Sequence, residues 1–155
     1  MRELFSFAEL IAERSGRTVV LKEHPSSRVK YPDLARRVSD RVIFANGNST
    51  QELIEKADCV VTINSTVGLE SILLAKPVLV LGEAFYAVEG VAAKARSAEE
   101  ALALLEQLPA WALSEELQRA FVSYLQYEYC VAGRWQDGGS EHYAAVAKRI
   151  EALAV

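Results

Sequence analysis

Apolar residues recur along this chain with two alternating periods. Over 3–15, Leu4, Phe7, Ala8, Ile11 and Ala12 fall on one helical face, and Gly16 follows as a stop. Thr18 to Lys22 is a short β-branched run that reads as a buried strand. Tyr31 to Val38 has the pattern of a short helix after Pro32. Arg41 to Ala45 reads as a second strand, and Asn46-Gly47-Asn48 as a turn. Ser49 with Glu52 has the spacing of a capping box opening the next helix. Asp58 to Ile63, Pro77 to Leu81 and Val91 to Ala95 supply three more strands, separated by a helix over Thr66 to Ala75. Ser97 with Glu100 marks another capping box, before a helix to about Leu108.

After Pro109 the pattern is helical only. Ser114 opens a helix to about Val131 with Leu117, Phe121, Tyr124 and Leu125 on one face. Gly133 to Gly139 is a loop around Trp135, and Ser140 caps a last helix to about Leu153. Strands apolar on both sides that alternate with helices predict an α/β fold. The expected architecture is a three-layer parallel sheet, Rossmann-like or flavodoxin-like, of about five strands with two C-terminal helices. Its core spans 1–108 and its helical tail 109–155, within a single lobe.

Composition narrows the function. The chain has 155 residues, 51% hydrophobic and 25% charged, with a net charge of −4. That is an ordinary folded domain, and its acidic balance argues against a nucleic-acid binder. Cys59 and Cys130 lack metal-ligand spacing and both read as buried thiols, in keeping with a reducing cytoplasm. The start, Met-Arg-Glu-Leu-Phe-Ser-Phe, lacks a signal-peptide core. The longest apolar stretch, Ile72 to Leu81, is cut by Lys76-Pro77 and falls short of a membrane span.

Ligands of open parallel sheets bind beyond the C-terminal strand ends, where the strand order reverses. Three segments stand there: Glu23-His24-Pro25, Asn64-Ser65-Thr66-Val67-Gly68-Leu69-Glu70, and Gly82-Glu83-Ala84-Phe85-Tyr86. In the second, hydroxyls and free backbone N–H groups converge at a helix start, an anion-binding arrangement. Gly68 permits close approach of a ligand or a neighbouring strand. His24, stiffened by Pro25, is placed to donate to a phosphate oxygen or protonate a leaving phosphate. Glu70, about one turn into the helix, could accept from ribose hydroxyls. Each residue also has a plainer reading. Ser65 and Thr66 would be helix caps, His24-Pro25 a turn, and Glu70 and His142 solvated helix residues. Lys76 would be a C-terminal helix cation. Phe85 and Tyr86 would flank a base or plug the sheet end. Tyr124, Tyr127, Tyr129 and Trp135 would form a packing stripe or interdomain contact rather than a glycan-binding patch.

Val20-Leu21-Lys22-Glu23-His24-Pro25, Asn64 to Glu70, Ala75-Lys76-Pro77-Val78 and Leu81-Gly82 with Tyr86 together resemble the capsule polysaccharide biosynthesis family over about 17–135. That family includes Kdo (3-deoxy-D-manno-octulosonic acid) transferases. The resemblance implies the C-terminal nucleotide-sugar lobe of a two-lobed, GT-B type glycosyltransferase using a CMP-activated donor, CMP-Kdo foremost. It assigns His24, Ser65 and Thr66 to the CMP phosphate, with His24 stabilising the leaving group and Asn64 supporting the turn. Glu23, Pro25, Gly68 and Glu70 become candidate nucleoside contacts. No metal and no cofactor is implied; the acceptor would be a glycolipid or glycan in the complete enzyme.

The family's N-terminal lobe is absent from these residues, and so is a strand before the first helix. Closing the sheet over that missing central strand gives the expected order 2-1-3-4-5, with the switch point between His24 and Asn64. On this reading the chain is cytoplasmic, or peripheral at the inner membrane, and pairs with a partner lobe or a second copy. It would be inactive alone. Two alternatives stand beside it. One is a non-catalytic binding or assembly module of the same shape. The other is a nucleotide-sugar epimerase or hydrolase fragment, which would need Glu23, Glu70 or Glu83 as base.

Overall fold

The structure, a computed structural model, describes residues 2–24, 40–108, 111 and 113–154. The helix expected at Tyr31 to Val38, and Pro25, lie outside these residues. The described chain separates into two compact units, 1–113 and 114–155.

In the first unit, helix α1 (Arg2–Ser15) buries Phe5, Ala8, Ile11 and Ala12. The inner face is thus centred on Phe5 rather than on the half-buried Leu4 and Phe7. Gly16 ends the helix at φ 67°, its N–H donating to the Ala12 carbonyl at 3.1 Å, a left-handed stop that glycine adopts without steric cost. Strand β1 (Val19–Leu21) follows and pairs in parallel with β2 (Val42–Phe44), Val19 opposite Val42 and Leu21 opposite Phe44. Phe5, Ala8 and Ala12 pack on Leu21 and Val42, and the Phe5 and Phe44 rings stack.

Helix α2 (Thr50–Lys56) leads to β3 (Val60–Thr62), and helix α3 (Val67–Leu73) to β4 (Val78–Val80). Strand β5 (Ala93–Lys94) and helix α4 (Ala98–Glu106) complete the unit. Strands β3, β4 and β5 form a parallel ladder in that order. Val78, Leu79 and Val80 have no exposed surface, as a central strand covered on both faces requires. Leu79 meets Ile11, Ala101, Leu102 and Leu105 of α1 and α4, while α3 packs against β3 and β4.

The α/β class and the parallel strands follow the sequence. A continuous 2-1-3-4-5 sheet does not appear. The described strands form two ladders, β1-β2 and β3-β4-β5. The Cα atoms of β1 and β3 lie for the most part more than 8 Å apart, whereas hydrogen-bonded neighbours stand about 4.8 Å apart.

Of the two expected capping boxes, one is corrected and one holds. Ser49 is the N-cap of α2 in extended conformation, but its hydroxyl makes no capping bond. Ser97 does cap α4, accepting from the Glu100 N–H at 3.1 Å, while Glu100 accepts from the Arg96 N–H at 2.7 Å.

In the second unit, helix α5 (Glu115–Tyr124) runs into a wider π turn over Leu125–Tyr129. Ser114 caps it, accepting from the Leu117 N–H at 3.2 Å. Helix α6 (Ser140–Leu153) has Gly139, not Ser140, at its N-cap, so no hydroxyl caps it. His142 is not simply solvated: its Nδ1 lies 2.9 Å from the Ala132 carbonyl and ties the loop to the helix. Tyr124, Tyr127, Tyr129 and Trp135 do not form a buried packing stripe; all are exposed, Trp135 by 74%.

Candidate functional site

The strand ends of the first unit form two polar groups. The first joins β1 to β2. The Glu23 N–H donates to Asn46 Oδ1 at 2.9 Å, and Asn46 Nδ2 donates to Glu23 Oε2 at 2.7 Å. Lys22 Nζ reaches the carbonyls of Asn46 at 3.3 Å and Asn48 at 2.6 Å. Glu23 is therefore held by both backbone and side chain. Its second oxygen, Oε1, is buried with no hydrogen-bond partner among the described residues. A buried acceptor in that state is costly unless a donor reaches it. His24 follows, exposed. Asn46 reads from sequence only as a turn residue. Its position at the end of the neighbouring strand is the signal that could have found it.

The second group is the β3–α3 turn. The Ser65 N–H donates to Thr62 Oγ1 at 3.2 Å, and Ser65 Oγ accepts from the Val67 N–H at 3.3 Å. The Ser65 carbonyl accepts from the Gly68 N–H at 3.0 Å and from the Tyr86 hydroxyl. Asn64 and Thr66 are exposed, and Thr66, the N-cap of α3, makes no side-chain capping bond. Glu70 stands exposed in the first turn of α3.

Tyr86 is the residue that sequence reasoning left undecided. It is fully buried, its ring edge-on to Phe85 and pressed against Gly68. A Cβ at Gly68 would stand 2.5 Å from the ring, so the close approach that Gly68 permits is to Tyr86. Burial holds the Tyr86 phenol above its ordinary range, so it stays a hydrogen-bond donor and fixes the Ser65 carbonyl. Phe85 remains exposed.

The β1–β2 pairing brings Glu23 beside Asn46. A groove at the β5 edge, lined by residues including Gly90, Ala92, Lys94, Leu104 and Trp111, contains none of the candidate residues. Glu83 is fully at the surface and paired with Lys94 at 2.7 Å, which holds its carboxyl below the usual range. Lys76 is a helix-end cation, but of α2: its Nζ donates at 3.0 Å to the carbonyl of Ala57, the C-cap of that helix. Among the described residues, no three His, Cys, Asp or Glu side chains gather as a metal site. No described helix is long and apolar enough to cross a membrane.

The two thiols differ. Burial pushes Cys59 up to about 12, despite a bond from the Leu79 backbone. Cys130 is exposed, against the expectation of two buried thiols, because the turn that carries it has no buried residue. At pH 8, Ellman's reagent should therefore titrate one thiol in the folded chain, removable by Cys130→Ser. The second should react only in denaturant, because the thiolate is the nucleophile. Two fast thiols would contradict this.

The sequence profile described as "Capsule polysaccharide biosynthesis protein" matches residues 4–133, most of the chain. The chain belongs to the capsule polysaccharide biosynthesis family. It is 37% identical over 155 residues to Protein FixF of Sinorhizobium fredii, a match covering 97% of this chain and 37% of FixF. It is 32% identical over 96 residues to the capsule polysaccharide export protein KpsS of Escherichia coli, covering 57% of this chain and 24% of KpsS. The chain thus spans about a third or less of these relatives. No solved structure gives a significant match.

Proposed function

We propose that this chain is the CMP-sugar-binding lobe of a capsular polysaccharide glycosyltransferase, with CMP-Kdo as donor. The observation that carries the reading is the β3–α3 turn. Its backbone is held by Thr62, Gly68 and Tyr86 while the Thr66 hydroxyl makes no capping bond. A pre-set turn of this kind meets an anionic phosphate without having to reorganise.

In this reading Ser65 and Thr66 hold the CMP phosphate and Asn64 supports the turn. His24 donates to the phosphate as it leaves the sugar, doing by proton and dipole what a cation does in other transferases. Glu23 Oε1 accepts from a ribose hydroxyl or the cytosine amino group, which supplies the donor that this buried oxygen lacks among the described residues. Pro25 and Glu70 border the nucleoside. Gly68 acts through Tyr86 rather than by touching it. A glycolipid or glycan acceptor, a partner lobe, and a peripheral position at the inner membrane belong to the complete enzyme.

His24→Ala should weaken CMP binding by about 1–3 kcal/mol, the scale of a hydrogen bond to a charged group. An unchanged dissociation constant, measured by calorimetry, would return His24-Pro25 to a plain turn.

A second reading has its own support. The 114–155 unit exposes Tyr124, Tyr127, Tyr129, Trp135 and Tyr143, and one relative is named for export. Both suit a non-catalytic assembly module. Such a module would bind no CMP.

A further inference from the structure

The loop after β4 closes onto the neighbouring strand. A Cβ at Gly82 would stand 2.8 Å from Ile63 Cγ2 and 2.9 Å from the Ile63 carbonyl oxygen, so glycine is what lets this loop lie against the end of β3. The Ala87 N–H then donates to the Ala84 carbonyl at 3.0 Å, closing a tight turn with Phe85 and Tyr86 at its two corners. The corners differ in their surroundings. Tyr86 is fully buried, with its hydroxyl on the Ser65 carbonyl. Phe85 is 59% exposed, its ring centroid 5.3 Å from that of Tyr86 and its plane at 82° to it.

A single exposed phenylalanine is ordinary on a protein surface. This one is held in place, by the closed turn beneath it and by an edge contact with a buried ring. Its exposed surface therefore has a fixed position, one ring away from the Ser65-Thr66 turn.

What reaches that surface follows from the order of groups in a sugar nucleotide, and this step rests on the donor reading proposed above. In that reading the nucleoside meets Glu23, beyond β1, and the phosphate meets Ser65 and Thr66, beyond β3. Arg17, just ahead of β1, pairs with Asp58, just ahead of β3, at 2.8 Å, so β1 approaches the β3-β4-β5 ladder from its β3 side. The transferred sugar is bonded to the phosphate on the side away from the ribose. Continuing in the same direction past β3 brings it to the end of β4, where Phe85 stands. We infer that Phe85 is the platform on which the donor's sugar ring rests, and so a specificity-determining residue for the transferred sugar. The face of an aromatic ring is electron-rich, and the C–H face of a pyranose presents weakly positive hydrogens to it. The contact also takes both faces out of water. A nucleotide without its sugar leaves the Phe85 ring untouched.

The test is calorimetric titration of CMP and of CMP-Kdo, without acceptor, into the 155-residue chain and its Phe85→Ala, Phe85→Leu and Phe85→Trp variants. In Phe85→Ala, the affinity for CMP-Kdo relative to CMP should fall roughly tenfold, the scale of one good ring contact, while CMP itself binds as before. Phe85→Leu restores apolar bulk without a ring and should lose most of the same ratio. Phe85→Trp should keep it. An unchanged ratio in both Phe85→Ala and Phe85→Leu, with CMP still bound, would overturn the platform and leave the donor reading standing. Equal losses for the two ligands would also overturn it, by showing that the ring sets the phosphate turn. A sedimentation coefficient that drops on Phe85→Ala, with both affinities kept, would make a second copy the occupant of the ring and overturn it as well. If the unsubstituted chain binds neither nucleotide, the donor reading fails and the platform falls with it.

Discussion

Gly68→Ala should destabilise the chain by about 2–3 kcal/mol, near the upper end of what overpacking costs a close-packed core. The added methyl would stand 2.5 Å from Cε2 and the hydroxyl oxygen of Tyr86 and 2.6 Å from Cζ. That ring cannot give way. It is fully buried, lies edge-on to Phe85, and its hydroxyl is committed to the Ser65 carbonyl. Relief must come from moving α3 or expelling Tyr86, and either shifts the Ser65-Thr66 turn. Urea unfolding measures the stability, and CMP binding by the residual folded fraction should fall with it. A midpoint within experimental scatter of the unchanged chain would show that the ring moves freely and does not set the turn.

The 155-residue chain should bind CMP yet release none from CMP-Kdo in the presence of a Kdo-lipid acceptor. Glycosyl transfer needs donor and acceptor held in attack geometry, and that positioning can supply roughly 7–11 kcal/mol of the barrier. On the proposed reading this lobe makes one wall of that cleft. Of the carboxylates that could serve as a base, Glu83 is paired with Lys94 at the surface and Glu23 is held by Asn46. Coupled CMP-release assays on this chain and on a full-length relative are the comparison. Similar rates from the two would mean that a complete active site lies within the shorter chain.

Much of the fold was legible because local rules decide it. The period of α1, the Gly16 stop, the Ser97 and Ser114 caps and the valine-rich strands all depend on residues close in sequence. The Ser49 cap was not legible, because a capping motif states which groups could bond and not which rotamer wins. Phe5 displaced Leu4 and Phe7 as the centre of the α1 face because α1 serves two ladders at once. The split of the described strands into two ladders depends on long-range pairing, which no local pattern reports.

The candidate site divides in the same way. The strand-to-helix turn at Ser65 could be read from residue types and spacing. Its buckle, Tyr86 onto Ser65 and Gly68, joins segments about twenty residues apart and needed coordinates. The Glu23–Asn46 lock likewise joins two strand ends across residues 24–45. Cys59 could be read from its apolar run, while Cys130 sits in a helical pattern that the fold leaves uncovered.

The central claim is that this lobe recognises a cytidine monophosphate. Isothermal titration of the 155-residue chain with CMP, with UDP as the control, tests it most directly. CMP should bind saturably and one to one, with binding weakened by His24→Ala, and UDP should bind markedly more weakly. No heat with CMP, or equal affinity for the two nucleotides, would contradict it.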